Sequence, residues 1–227
     1  MSTTSQPNRA RYLSHLAHRQ WIGYLGLLLP FLLYLLAALR PTPPLLRWDL
    51  LNSVSAYYYT GAVAVFVGVL FALGLFLVTY RGYSAHWADR AFGIIGGLCA
   101  FAVALFPTGT PGGLSEPPWW CPTTRIIHYI AAISLFIVFI VFSLWLFRKS
   151  DRPRNNLSPA KRWRNHVYLW CGIIMVGCVL WAGSSIFTKK PIFWPEAIAL
   201  EAFALSWLVK GYAYRPLLRV FHRTAGP

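Results

Sequence analysis

Acidic residues are scarce in this chain of 227 residues, which contains only 6 Asp and Glu and has a charged share of 12%. Soluble domains usually have about 25% charged residues, so this composition disfavours a soluble globular protein. The 21 Lys and Arg give a formal charge of +15, which taken alone would suggest a nucleic-acid binder. Because 57% of the residues are apolar, the positions of the charges must decide between these interpretations.

Cysteine is also scarce, and its four residues form no evident disulfide framework. Cys99, Cys171 and Cys178 lie in long apolar runs, where thiols usually only pack. Cys121 lies in a loop that offers no second loop cysteine on the same side. Structural disulfides are therefore not expected.

Charge-poor apolar runs are abundant. A bilayer core about 30 Å thick needs about 20 apolar residues of helix, and six runs approach that length. They cover residues 21–39, 61–80, 91–107, 127–147, 167–187 and 196–212. We therefore expect an all-α membrane helix bundle, with one six-helix transmembrane domain over residues 21–212 and basic tails at 1–20 and 213–227. A secretory signal peptide would compete for residues 1–40, but its apolar core is typically only about 7–15 residues long.

The basic residues predict the orientation of this bundle. Sixteen of the 21 fall on the side that holds both tails, and five fall on the opposite side. Short cytoplasmic loops retain positive charge during insertion, so both termini are expected in the cytoplasm. The basic loop 148–165 then suits anionic headgroups, which makes membrane lipids the expected partners and excludes nucleic acid. A second copy of the chain, or another membrane protein, is left open as a partner.

Polar residues on the outer side are candidate functional groups, because each costs free energy at membrane depth and so needs a partner. Ser53 and Ser55 precede the second span, and His128 opens the fourth. Glu196 opens the sixth span, and Glu201 lies about 7.5 Å deeper at 1.5 Å per residue. The predicted ligand-binding set is Ser53, Ser55, Tyr58, Arg125, His128, Glu196 and Glu201.

This outer set permits more than one function. A serine, a histidine and a carboxylate are the groups that acyl transfer or proton abstraction needs, so Ser55, His128 and Glu201 are catalytic candidates. Glu196 also follows Pro195 in a first helical turn, where capping alone explains a carboxylate. Binding or handling of a lipid or small amphiphile is the preferred function. The alternatives are a membrane-embedded hydrolase and a small-molecule transporter.

Two further features have functional and purely structural interpretations. The loop 108–124 is rich in Pro and Gly and is either a lid over the outer set or a tether to the membrane surface. On the inner side, His15 with His18, and His86 with Asp89, have a spacing of three that a metal site would use, and His166 lies near the fifth span. Basic juxtamembrane segments often contain histidine, so no metal and no cofactor is expected.

Small residues four apart predict where helices touch, because they let backbones approach closely in lipid. Gly93 and Gly97 have this spacing in the third span, and Gly68 and Ala72 have it in the second. We expect helix contacts at both pairs.

Several segments resemble a bacterial family of six-span membrane proteins that is defined only as a domain of unknown function. The resemblance covers SVSAYYYTGAVAVFVGVLFALGLFLVTYRGY from Ser53, GIIGGLCAFAVALFPT from Gly93, IHYIAAISLF around His128, and RNHVYLWCGIIM from Arg164. It implies a multi-pass protein of the bacterial inner membrane. The residues that it places in recurrent segments are Ser53, Ser55, Tyr57, Tyr58, Asp89, Pro107 and His128.

The sequence departs from the membrane hydrolases that include alkaline ceramidases and adiponectin receptors, which hold zinc with several intramembrane histidines. Only His128 lies at the outer face, and the last span has no His-x-x-x-His pair. A three-histidine zinc site is therefore not expected.

Overall fold

Helices make up the regular structure of the residues that the computed structural model describes, which are 6–82, 87–112, 114–150 and 156–214. No strand occurs in these ranges, so the predicted all-α class is confirmed. A 3-10 helix at Ser55–Tyr59 precedes the second α-helix, and another at Leu146–Arg148 follows the fourth. The α-helices are α1 Gln6–Leu39, α2 Val63–Val78, α3 Trp87–Leu105, α4 Pro122–Leu144, α5 Pro159–Thr188 and α6 Phe193–Lys210.

The helices form a closed ring. Each one packs against the next in sequence, and α6 packs against α1, while α4 also contacts α6 across the ring. Because consecutive helices alternate in direction, the ring has two ends. We name the end that holds Arg19, Asp89 and Lys210 the basic end, and the end that holds Ser55 and Glu196 the Glu196 end.

Four of the described helices are long and apolar enough to cross a membrane, which supports a membrane protein. These are α1 over Ser14–Leu39, α3, α4 continued to Arg148, and α5 over Pro159–Ser185. The helix α2 is shorter, with 16 residues. The helix α6 carries Glu196, Glu201 and Lys210 within its 18 residues, which lowers its hydropathy. Length and composition alone therefore support four of the six predicted spans.

Two helices extend beyond the predicted spans at their basic ends. The helix α1 begins at Gln6, so the predicted boundary between tail and span at residue 21 lies inside it. The helix α5 begins at Pro159, where the Ser158 side chain accepts a hydrogen bond from the Lys161 backbone N–H. That cap starts the helix within the predicted basic loop, of which residues 151–155 lie outside the described ranges. A search for charge-free runs misses such polar helical turns.

Aromatic side chains fill the centre of the ring between α4 and α6. The rings of Phe139 and Phe203 stack with centroids 3.6 Å apart. Trp207 is fully buried, and its ring lies 4.9 Å from that of Tyr80 and 5.1 Å from that of Phe142. Such offset and edge contacts add to the burial of the rings, so this seam is a rigid part of the bundle.

One of the two predicted small-residue contacts is confirmed. A Cβ on Gly93 would lie 2.7 Å from the Leu77 carbonyl oxygen, and one on Gly97 would lie 2.6 Å from the Gly74 carbonyl oxygen. These glycines therefore let the backbones of α2 and α3 meet. The prediction for Gly68 was wrong, because a Cβ there would meet nothing within 4 Å. Its face of α2 is exposed.

Candidate functional site

Glu196 joins α6 to the segment that precedes α2. Its Oε2 accepts a hydrogen bond of 2.7 Å from the Val54 backbone N–H, and the Ser55 backbone N–H also bonds this carboxyl group. One turn earlier, the Ile192 N–H donates to the Asn52 carbonyl oxygen at 2.7 Å. The structure thus brings Glu196 beside Ser55. The Glu196 carboxyl group bonds backbone there, which gives it a structural role.

The two serines of the predicted set lie at the start of the 3-10 helix. Ser53 Oγ accepts a hydrogen bond of 3.0 Å from the Ala56 N–H and so caps this short helix. Ser55 is buried in its first turn. Tyr58 is half-buried, with its ring 6.1 Å from that of Phe66. These contacts hold the start of the 3-10 helix, where the Val54 and Ser55 N–H groups bond Glu196.

The loop after α3 is fastened to the 3-10 helix by one carbonyl group. The Tyr59 hydroxyl donates to the Thr108 carbonyl oxygen at 2.5 Å, and Trp120 Nε1 donates to the same oxygen at 3.2 Å. Burial raises the pKa of Tyr59 to about 12, so its hydroxyl remains a donor at neutral pH. The guanidinium carbon of Arg125 lies 6.0 Å from the Trp120 ring centroid. The loop predicted as a lid or a tether is thus held to the 3-10 helix at Thr108, where its two ends also bond each other through Trp120.

His128 is held by α3. It is 2% exposed, and its Nδ1 lies 2.7 Å from the Phe106 carbonyl oxygen. A carbonyl only accepts, so Nδ1 carries the proton in this contact. No hydrogen bond joins His128 to Ser55 or Glu201 in the part of the chain that the structure describes. The structure therefore holds His128 against the chain after α3 without joining it to the other two catalytic candidates.

Glu201 differs from the other acids of the described chain in its environment. It is half-buried within α6, and its Oε1 is enclosed without a hydrogen-bond partner among the described residues. The neighbours on the same helical face are Ile198 and Leu205, which are 39% and 49% exposed. A carboxyl group thus lies in an apolar, outward-facing stripe of α6, where a missing partner is costly.

Two cavities occur at opposite ends of the described bundle. The one at the Glu196 end measures about 20 Å³ and is lined by Tyr34, Asp49 and Thr60 among others. It has room for about one water molecule. The cavity at the basic end measures about 320 Å³. Its lining residues are Ser14, His15, His18, Thr79, Tyr80 and Arg81.

The basic end was not predicted as a site. The sequence assigned its Lys and Arg to topology alone, although Arg19 and Lys210 lie within helices and are 8% and 6% exposed. A basic residue inside an apolar helical segment is the sequence feature that could have identified these two buried side chains. Of the histidines weighed as metal ligands, His15 and His18 line the cavity and His86 lies outside the described residues. Within the described ranges, no group of three His, Cys, Asp or Glu residues could hold a metal ion.

Comparison with known proteins gives one family. A family model described as a protein of unknown function (DUF998) matches residues 49–196, which is well over half of the chain. The match covers α2 to α5 and the first turn of α6, and it confirms the resemblance to a family of unknown function. No curated protein and no solved structure matches. The chain therefore belongs to the DUF998 family.

Proposed function

We propose that this protein is a six-span protein of the bacterial inner membrane, with both termini in the cytoplasm, that binds a lipid or small amphiphile at its Glu196 end. The closed ring of alternating helices supports six spans, because α2 and α6 pack between the longer helices and run beside them. The distribution of Lys and Arg supports the orientation.

The unpartnered carboxyl group of Glu201 carries the binding proposal. A side chain of this kind in hydrocarbon needs a hydrogen-bond donor, and the described chain does not supply one to Oε1. The exposed apolar residues Ile198 and Leu205 flank it along α6. A molecule with a donor headgroup and an apolar tail matches both features, since the donor would bond the accessible part of the half-buried carboxyl group and the tail would cover the stripe.

The other predicted residues have contacts of their own. Glu196 and Ser53 bond the backbone before α2, Arg125 lies near the Trp120 ring, and His128 bonds the Phe106 carbonyl oxygen after α3. The hydrolase alternative requires Ser55, His128 and Glu201 to share hydrogen bonds, which they do not in the described structure. Binding is therefore the function that the geometry favours.

The proposal is tested with dodecylamine, which combines an ammonium donor with a single apolar tail. The purified protein in detergent should bind dodecylamine in preference to dodecyltrimethylammonium, which has the same charge and tail but no N–H donor. Glu201→Gln should weaken dodecylamine binding about tenfold, because a charge-assisted hydrogen bond becomes a neutral one. Native mass spectrometry at graded concentrations measures the affinity.

Glu116→Gln is the matched control, because Glu116 is an exposed carboxylate of the loop after α3. It should bind dodecylamine as the unmodified protein does. Equal affinities of the Glu201→Gln and Glu116→Gln variants would overturn the proposal. So would equal binding of the two probes by the unmodified protein.

A further inference from the structure

Three charged side chains from different helices are buried at the basic end. Arg19 of α1 is 8% exposed, Asp89 of α3 is 3% exposed, and Lys210 of α6 is 6% exposed. Charged groups are costly in such surroundings unless opposite charge surrounds them. Their burial therefore indicates an organised polar site in a bundle that is otherwise apolar.

The helix α5 adds two more cations to this site. Lys161 Nζ donates to the carbonyl oxygens of Phe147 and Lys149 at 2.9 and 3.1 Å, which holds it against the end of α4. The Lys210 ammonium lies 5.0 Å from the ring centroid of the same Phe147. The guanidinium carbon of Arg164 lies 4.8 Å from the ring centroid of Tyr212. Lys161 and Lys210 thus both contact Phe147, Lys161 at its carbonyl oxygen and Lys210 at its ring.

Positive charge is in excess within this group. The Lys210 ammonium is repelled by Arg19, Lys161 and Arg164 and is attracted by Asp89. Asp89 is the only acid at this end among the residues that the structure describes, since the other described acids lie in the opposite loops or in the outer half of α6. Three other basic side chains therefore surround Lys210, against one carboxylate. We define Arg19, Asp89, Lys161, Arg164 and Lys210 as the basic cluster.

The cavity of about 320 Å³ adjoins the basic cluster. The two share Tyr80, which lines the cavity and whose ring centroid lies 5.9 Å from the guanidinium carbon of Arg19. Small-molecule sites typically range from about 300 to 1,000 Å³, so this cavity admits a small polar group. Its lining includes the Arg81 guanidinium, the Ser14 hydroxyl and the His15 imidazole, which suit phosphate oxygens. The Thr79 hydroxyl already donates to the Leu75 carbonyl oxygen, and His18 Nε2 already bonds the Phe76 carbonyl oxygen.

Trp207 lies beside the cluster. Its ring is 4.9 Å from the rings of both Tyr80, which lines the cavity, and Phe147, which lies under Lys210. Its fully buried indole N–H has no acceptor among the described residues. The excess of basic side chains at this end therefore favours an anion in the neighbouring cavity.

We propose that the basic end of the bundle binds a phosphate group, seated in the cavity beside Tyr80 and attracted by the basic cluster. The group is a phosphomonoester or free phosphate, because a dianion matches the excess charge. A membrane lipid headgroup and a soluble phosphate share this chemistry. This site lies at the opposite end of the bundle from Glu201. A test of the phosphate site therefore does not decide the proposed amphiphile site, and the reverse also holds.

The test uses the full-length protein in phosphatidylcholine nanodiscs. Phosphatidic acid, a lipid with a phosphomonoester headgroup, is compared with inorganic phosphate as the added probe. We expect one of them to raise the thermal unfolding midpoint of the protein in a saturable way. Arg81→Gln alters only an exposed side chain of the cavity. It should lower the affinity for that probe about tenfold, because one charge-assisted contact is lost.

Lys210→Gln is the second variant, and Lys190→Gln is the matched control, because Lys190 is exposed at the opposite end of α5. Lys190→Gln should respond as the unmodified protein does, while Lys210→Gln should lose affinity. A response to phosphatidic acid alone assigns the headgroup as the source, and a response to inorganic phosphate assigns the free ion. No response to either probe would overturn the proposal. Equal affinities in Arg81→Gln, Lys210→Gln and Lys190→Gln would also overturn it.

Discussion

Ser143 and Ser206 link α4 to α6 through a buried hydrogen bond. Ser143 Oγ donates to Ser206 Oγ at 2.9 Å, and Ser206 Oγ donates to the Phe203 carbonyl oxygen at 2.8 Å. Both side chains are fully buried. The two serines therefore differ. Ser206 has a second hydrogen-bond partner within its own helix, whereas the Ser143 hydroxyl donates only to Ser206.

Replacing these serines should reveal that asymmetry. We expect Ser206→Ala to cost about 1 kcal/mol or more, because it leaves the buried Ser143 donor without its acceptor. Ser143→Ala should cost less, because Ser206 keeps the Phe203 carbonyl. The free energy of unfolding in detergent measures both changes.

The double variant provides the control. Replacing both hydroxyls by methyl groups leaves no orphaned donor, so Ser143→Ala with Ser206→Ala should cost less than the two single changes added together. Strict additivity would contradict a shared hydrogen bond.

Individual polar residues were predicted best where the cause is local. Glu196 was expected as a possible cap from Pro195 and its first-turn position, and it does lie in that turn. Its bond to Val54 was not predictable, because 142 residues separate the two. Glu201 was singled out from its depth in the helix alone, and its Oε1 is unpartnered among described residues. Its function stays a prediction.

The contact between α2 and α3 depends on glycines at two points. Gly93→Ala would place a Cβ 2.7 Å from the Leu77 carbonyl oxygen, which is backbone and cannot yield without moving α2. We expect it to lower the stability by about 1–3 kcal/mol, as overpacking does. The shift of the unfolding transition in detergent is the measurement.

Gly68→Ala serves as the comparison on the neighbouring helix. A Cβ there meets nothing within 4 Å, and alanine favours a helix over glycine by up to about 1 kcal/mol. This variant should be neutral or more stable than the unmodified protein. A loss of stability at Gly68 as large as that at Gly93 would refute the assigned contact.

Helices were predicted well wherever an apolar run defines them. At the Glu196 end of the bundle, the predicted spans 21–39 and 91–107 stop close to the last residues of α1 and α3. The spacing of Gly93 and Gly97 also marked a true contact, whereas the same spacing at Gly68 did not. Spacing shows which residues share a face, but the neighbour of that face depends on the packing of the whole ring.

The orientation of the whole bundle can be tested with its own cysteines. Cys121 is an exposed free thiol, while Cys171 and Cys178 are buried. Hydrogen bonds from Thr124 lower the pKa of Cys121, so its reactive thiolate persists to lower pH than that of an ordinary cysteine. In intact cells, a membrane-impermeant maleimide should label Cys121.

The matched probe is Asn156→Cys in a Cys121→Ser background. Asn156 is exposed and lies between α4 and α5, on the side predicted to be cytoplasmic. It should be labelled only after the cells are opened. Labelling of this position in intact cells would reverse the proposed orientation.

The all-α class of the fold could be predicted from the sequence, but the closing of its helices into a ring could not. Composition identified an all-α chain with membrane helices, and the number of apolar runs equals the number of described α-helices. Nothing local in Arg19 or Lys210 shows that they converge, because they belong to helices that meet only when the ring closes. The convergence of Arg19 and Lys210 was therefore not predicted, because the sequence analysis used their charges only as evidence for topology.

The closed ring also has a consequence for the order of synthesis. The seam between α1 and α6 joins the first and last described helices, and Gln20 of α1 donates to the Gly211 carbonyl oxygen just after α6. Five helices are therefore translated before the ring can close. Until α6 emerges from the ribosome, the place of Trp207 between Tyr80 and Phe147 is unfilled. The ring of described helices is completed only by its sixth helix.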